Sequence, residues 1–183
     1  MRAFTPALLL FSVSLSGFAQ KFGTAEYLAP AIPTPQAVVD RMLEVARIKP
    51  GETLYDLGSG DGRVVITAVQ KYGARAAVGI EIDPVLCRTS VNRIKALGLQ
   101  DRVRIIEDSA LRVDLSPADV VTMFFLTSSN DRLKPILTKH LKSSARVVST
   151  EFPIKSWKAT EVVHMKSGTM VHTIYVYQMN KIE

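Results

Sequence analysis

Asp56-Leu57-Gly58-Ser59-Gly60-Asp61-Gly62 stands between two apolar runs, residues 53–57 ahead of it and 64–69 behind it. That placement predicts a glycine-rich turn joining a strand to a helix. Such a turn binds nucleotides, because glycines let the chain bend tightly and let a ligand lie against bare peptide. A dinucleotide fingerprint reads G-x-G-x-x-G, whereas here the third glycine falls one residue early and Arg63 occupies the place the fingerprint needs. An NAD-dependent oxidoreductase is therefore the weaker reading. Further on, Val78-Gly79-Ile80-Glu81 is an apolar run ending in a carboxylate, where a nucleotide-binding βαβ unit carries its ribose-binding acid. Val103-Arg104-Ile105-Ile106-Glu107-Asp108-Ser109-Ala110 is a third such run, ending in an acid and small residues. Singly, these features are a turn, a solvated strand end and a side chain bonding its own backbone. In order, each at the carboxyl end of an expected strand, they converge on the crevice where open α/β sheets bind ligands.

At these residues the chain resembles the class I S-adenosylmethionine-dependent methyltransferases, whose first motif reads acidic-x-Gly-x-Gly-x-Gly at the end of the first strand. The resemblance implies a Rossmann-like, seven-stranded, mostly parallel α/β sheet with helices on both faces and a closing antiparallel hairpin. It also implies S-adenosylmethionine as cofactor. Asp56 would lie near the donor's methionine end. Gly58, Ser59, Gly60, Asp61 and Gly62 would present backbone to it, Glu81 would accept from both ribose hydroxyls, and Asp108 would take the adenine amine beside Ser109. Within the family the chain is similar to small membrane-associated protein-lysine methyltransferases of the ATP-synthase c-subunit and adenine nucleotide translocase type, and to their bacterial relatives. Pro33-Thr34-Pro35, Val38-Val39, Met42-Leu43, Tyr55 through Val65, and Arg146-Val147-Val148-Ser149 carry that likeness. Lys142-Ser143-Ser144-Ala145 departs from it where such chains commonly have a proline-glycine turn. The implied acceptor is a protein lysine, with a small molecule as runner-up and non-catalytic donor binding as a third reading.

Candidate groups on the acceptor side are few. Leu126-Thr127-Ser128-Ser129 stands where amino-methylating DNA enzymes carry an Asn/Asp-Pro-Pro-Tyr tetrad, so no nucleic-acid substrate is expected. Glu151, at the end of the fifth expected strand, could orient or deprotonate a lysine amine; its plainer reading is a surface carboxylate beside Pro153. His140, His164 and His172 are too dispersed to suggest a metal site or a base. Trp157 reads as a cap on the core edge, with a place in a substrate groove as the alternative.

The positioning elements follow from periodicity. Thr34 caps and Pro35 opens a helix to Arg47, and residues 53–57 form the first strand. A helix starts at Asp61 or Gly62, and Asp83-Pro84 opens another that stops at Gly98. Residues 119–126 are almost continuously apolar, as in a strand covered on both faces. Pro135 should kink or split the helix that follows. Residues 146–152 supply the fifth strand, and residues 160–165 and 171–179 form a hairpin around Lys166-Ser167-Gly168.

With 183 residues, 47% of them hydrophobic, and no internal repeat, the chain can bury one sizeable core. The net charge of +6 suits an acidic partner or an anionic surface, yet no basic stripe interleaved with aromatics favours nucleic acid. Cys87 is the only cysteine, so no disulfide forms within the chain. Arg2, the apolar residues 7–18 and the small residues Gly17 and Ala19 read as a signal peptide cut before Gln20, or else a hydrophobic anchor over residues 1–19. Residues 20–34 are then an extended approach and residues 35–183 the domain. Export to the periplasm or beyond predicts that a reporter active only outside the cytosol, fused after Gln20, is active; an inactive fusion would indicate an anchor facing the cytosol.

Overall fold

A computed structural model describes residues 26–182, so the expected signal or anchor over residues 1–19 lies outside the described residues. The elements are α1 (Gln36–Ala46), β1 (Thr53–Leu57), α2 (Arg63–Gln70), β2 (Ala76–Glu81), α3 (Pro84–Ala96), β3 (Val103–Glu107), β4 (Val120–Met123), α4 (Thr127–His140), β5 (Arg146–Thr150), β6 (Glu161–Ser167) and β7 (Met170–Gln178). They build a seven-stranded sheet in the order β3-β2-β1-β4-β5-β7-β6. Strands β1 to β5 run parallel, and β7 pairs antiparallel with both β5 and β6. The closing hairpin expected from the sequence is therefore present.

β1, β4 and β5 are buried along their whole length, as central parallel strands must be. Alternate residues feed two cores. Leu54, Val120 and Val148 pack with α1, α2 and Ile94 of α3 on one face. Tyr55, Val121 and Val147 pack with α4, Leu115 and Leu28 on the other. Trp157 joins that second core, its ring edge-on to Tyr177 at 5.7 Å, which is the core-edge role.

Several boundaries differ from the sequence expectation. β4 stops at Met123 because its neighbour β1 ends at Leu57 and turns away, leaving Phe124 onward without a ladder partner. β5 stops at Thr150 because Glu151 adopts φ 65° and breaks the extension. α1 takes Pro35, with no side-chain cap, at its N-cap, and the Thr34 carbonyl instead accepts from Arg63 Nη1 at 2.6 Å. Pro135 does not split α4: it lies on the exposed face, where water can satisfy the Asp131 carbonyl it leaves unpaired. The hairpin strands run to Ser167 and from Met170, so the turn is Gly168-Thr169. Lys142 to Ala145 still make a turn without proline or glycine, closed by Ala145 N–H on the Lys142 carbonyl at 2.9 Å.

Gly79, in the middle of β2, lets the loop after β1 settle onto the sheet. A Cβ there would lie 2.5 Å from Ser59 Oγ and 2.7 Å from Ile105 Cδ1. Gly79→Ala should cost about 1–3 kcal/mol by overpacking, measured by chemical denaturation, and should weaken nucleotide binding because the loop is pushed off its seat.

Candidate functional site

Each site residue singled out in the sequence lies at or just beyond the carboxyl end of a parallel strand, on one rim of the sheet. At the end of β1, Asp56 is buried and its Oδ1 accepts the Thr122 hydroxyl of β4 at 2.7 Å. Burial pushes its carboxyl up to about 7, and the charges of Glu81 and Asp61 act in the same direction against the Thr122 hydrogen bond. A buried acid among acids, with one neutral donor, is a site for a cation.

The turn after Asp56 is fastened to β2. Gly58 and Ser59 N–H both donate to the Ile80 carbonyl, at 2.8 and 3.0 Å, and Gly60 N–H donates to Glu81 Oε2 at 2.8 Å. Gly58, at φ 74°, also lies under Phe125, whose Cζ would be 2.9 Å from an added Cβ, so a bare backbone is obligatory there. On the other side of the turn the space where a Gly60 side chain would sit is open, with nothing within 4 Å. Ser90 of α3 packs under the turn, its one hydroxyl proton shared between the Leu86 carbonyl of its own helix at 2.6 Å and the Gly60 carbonyl at 3.1 Å. The Ser59 hydroxyl is buried with no hydrogen-bond partner among the described residues. Asp61 itself is committed to Arg63, at 2.8 Å, and Arg93, at 3.2 Å, and the Arg63 guanidinium holds its carboxyl below the usual range. Its part in the turn is its backbone.

Glu81 is buried, and its Oε1 accepts from Ile82 and Asp83 N–H at 2.8 and 2.9 Å. With Gly60 on Oε2, three of a carboxylate's roughly four acceptor directions are filled, one fewer free than a grip on both ribose hydroxyls requires. Asp108 Oδ1 accepts from Ser109 N–H at 2.6 Å and from Arg112 Nε at 2.9 Å. Oδ2 carries neither of those bonds. Ser109 is buried, its oxygen accepting Leu111 N–H at 3.3 Å. Cys87 behind Glu81 is buried, and burial with the nearby acids pushes its thiol up to about 11, so it stays unreactive at neutral pH.

The segment 26–35 crosses this rim, tied down in three places. Glu26 pairs with Arg112 after β3, the Leu28 carbonyl accepts the Ser129 hydroxyl of α4, and the Thr34 carbonyl accepts Arg63.

Across from the turn, Glu151 ends β5 with its Oε1 2.5 Å from Nδ1 of His172 on β7. Phe152 beside it stacks on Phe124, ring centroids 6.3 Å apart. Asn130 of α4 donates to the Phe152 carbonyl at 3.0 Å, while its Oδ1 is buried without a partner among the described residues. The structure thus joins Glu151 to a histidine that the sequence left unassigned, because antiparallel pairing of β5 with β7 brings together residues 21 positions apart. Thr122, Ser90 and Phe125 carry no motif signal for the same reason, each acting on the turn from another element. A concavity of about 380 Å³ lined by Arg47, Lys49, Arg146 and Lys181 lies at the opposite edge and shares no residue with this site.

Comparison with known proteins converges on one family. Residues 56–161 match the ANTKMT methyltransferase domain. Over 148 residues the chain is 45% identical to a protein-lysine N-methyltransferase of Saccharolobus islandicus (strain REY15A), covering 81% of this chain and 92% of that one. It is 34% identical to the adenine nucleotide translocase lysine N-methyltransferase of Mus musculus, over 68% of this chain but spanning only 54% of that protein. Among solved structures, it resembles an RNA methyltransferase from Salinibacter ruber in complex with S-adenosyl-L-homocysteine. The TM-score is 0.76 and the identity 40%, over 81% of this chain and 94% of that one.

The Asp56 environment gives a prediction about stability. Its folded-state carboxyl titrates near 7 rather than near 3.8, so it disfavours the native state increasingly as pH rises from about 4 to 7. Asp56→Asn, which removes that charge, should therefore stabilise the ligand-free protein more at pH 8 than at pH 5. The difference should be on the order of 3 kcal/mol, read from denaturant unfolding at the two pH values.

Proposed function

The chain belongs to the ANTKMT methyltransferase family and takes S-adenosylmethionine as its methyl donor, and we propose that its acceptor is the side-chain amine of a protein lysine. The observation that carries this reading is Glu151. It places a carboxylate, about a quarter exposed and next in the chain to Phe152 of the Phe124–Phe152 stack, at the end of β5 on the same rim as the donor turn. An acid beside aromatic faces suits a long aliphatic amine that is cationic in water, and it repels phosphate. The lysine-modifying relative that is 45% identical over most of both chains supports the same acceptor.

The residues of the rim fit the donor. An acid-lined turn suits a nucleoside that carries a sulfonium and an ammonium, the space at Gly60 is open, and the unpartnered Ser59 hydroxyl is buried at its base. Bound S-adenosylmethionine supplies a methyl group already activated by positive sulfur, which leaves the protein the tasks of positioning and excluding water. Asp56 would attract the ammonium end, and the backbone from Gly58 to Gly62 would lie against the donor. Glu81 Oε2 would take a ribose hydroxyl, a second one requiring Gly60 N–H to let go. Asp108 Oδ2 would accept from the adenine amine, with Ser109 packed beside it. The apolar stretch over residues 7–18 supports a membrane-associated or exported enzyme.

A second reading has its own support. The relative of known structure that is 40% identical is named an RNA methyltransferase, and the net charge of +6 would suit an RNA. One experiment separates the two: incubate the full chain with radiolabelled donor and a membrane-containing cell extract, divide the extract into protein, RNA, lipid and small molecules, and map the label. Label on a lysine nitrogen is expected. Label confined to RNA, lipid or metabolites would replace the acceptor proposed here.

A further inference from the structure

The end of β5 combines features that a simple surface carboxylate lacks. Glu151 has φ 65°, a left-handed conformation that costs a non-glycine residue stability and is retained where the side chain has a task. Its backbone is held by its N–H on the Thr173 carbonyl at 2.7 Å. Oε1 meets Nδ1 of the buried His172 at 2.5 Å, and the ring must donate that bond when the carboxylate is ionised. Oε2 is only lightly engaged, by Thr173 N–H at 3.5 Å. The four other carboxylates singled out on the rim are committed elsewhere. Asp56 lies buried on Thr122, Glu81 holds three backbone N–H groups, and Asp61 and Asp108 are paired with arginines.

We propose that Glu151 Oε2 receives the proton that the lysine ammonium must lose before its nitrogen can attack, and that His172 is the positioning residue that aims it. This rests on the lysine reading above. In the step, one ammonium N–H bond breaks and its electron pair stays on nitrogen as the nucleophilic lone pair. The proton forms an O–H bond with Oε2, and Oε1 keeps its hydrogen bond to His172 Nδ1. Glu151 becomes neutral, the amine becomes neutral, and the proton later leaves to solvent from the partly exposed carboxyl. The stacked Phe124 and Phe152 would offer the lysine's methylenes an apolar surface beside Glu151. His172 is buried, so its ring has little freedom and fixes the carboxylate's direction.

The test uses the full chain and a synthetic peptide around the lysine that the wild-type protein labels. Glu151→Gln should lower kcat about 100-fold while the donor Kd, measured by calorimetry, stays within about twofold of wild type. Glu151→Gly relieves the left-handed strain but leaves the buried His172 Nδ1–H without its acceptor, so it should melt within a few degrees of wild type while losing turnover to the same degree; a merely structural residue would lose both together. His172→Ala should lower kcat about tenfold with little change in peptide KM. His172→Asn, which keeps a donor near the Nδ1 position, should recover most of that loss. Turnover of Glu151→Gln within threefold of wild type would overturn the proton-acceptor role. Equal turnover of His172→Asn and His172→Ala would overturn the positioning role. If the wild-type chain labels no lysine, the acceptor reading falls and this proposal with it; if it labels lysine and the variants behave as wild type, this proposal alone falls.

Discussion

A turn of nearly bare backbone, pinned to the end of the neighbouring strand, is the constraint on which the rest depends. Two consecutive N–H groups, from Gly58 and Ser59, share the Ile80 carbonyl, and the next, from Gly60, closes on Glu81. Each such bond contributes only about 1 kcal/mol, so the turn holds its shape because nothing else can fill the space. Gly79 has no side chain to hold Ser59 off the sheet, Phe125 lies where a Gly58 side chain would be, and Ser90 buttresses Gly60. The same Glu81 that latches the turn is the acid proposed to meet a ribose, so loop geometry and nucleoside recognition would share one carboxylate.

The electrostatics of the rim follow from what surrounds that turn. Glu81 and Asp61 add to the cost of ionising Asp56, and of these three acids only Asp61 is compensated by arginines. Asp56 is therefore poised near neutrality until a cation arrives. The cost in stability at this point is what a binding role for Asp56 would require. The segment 26–35, tied to Arg112, Ser129 and Arg63, links the stretches of chain that follow β3, β4 and β1.

The sheet is legible from the chain because its central strands are apolar on both faces and its turns carry glycine, so periodicity and punctuation agree. Residues 53–57 read as a strand and form one. The ends are less legible where tertiary context decides them: β4 stops with its neighbour rather than with its apolar run, and β5 stops at a strained Glu151 that no propensity reveals. The residues that the motifs mark lie together on one rim because motif spacing encodes the βαβ crossover. Partners contributed by other strands leave no such trace. His172 reaches Glu151 only through antiparallel pairing, Thr122 reaches Asp56 only through the β1–β4 register, and Arg112 reaches Asp108 across a turn that carries no motif of its own.

An acid-lined glycine turn whose Asp56 carboxyl titrates near 7 would receive a cationic nucleoside. Calorimetric titration of the full chain with S-adenosylmethionine between pH 5.5 and 7, in buffers of different ionisation enthalpy, tests it directly. Binding should be roughly tenfold tighter at pH 7 than at pH 5.5 and should release a proton, because the cation favours the ionised form of a carboxyl that otherwise titrates near 7. An affinity independent of pH over that range, with no proton released, would mean that Asp56 does not meet the donor's cationic end.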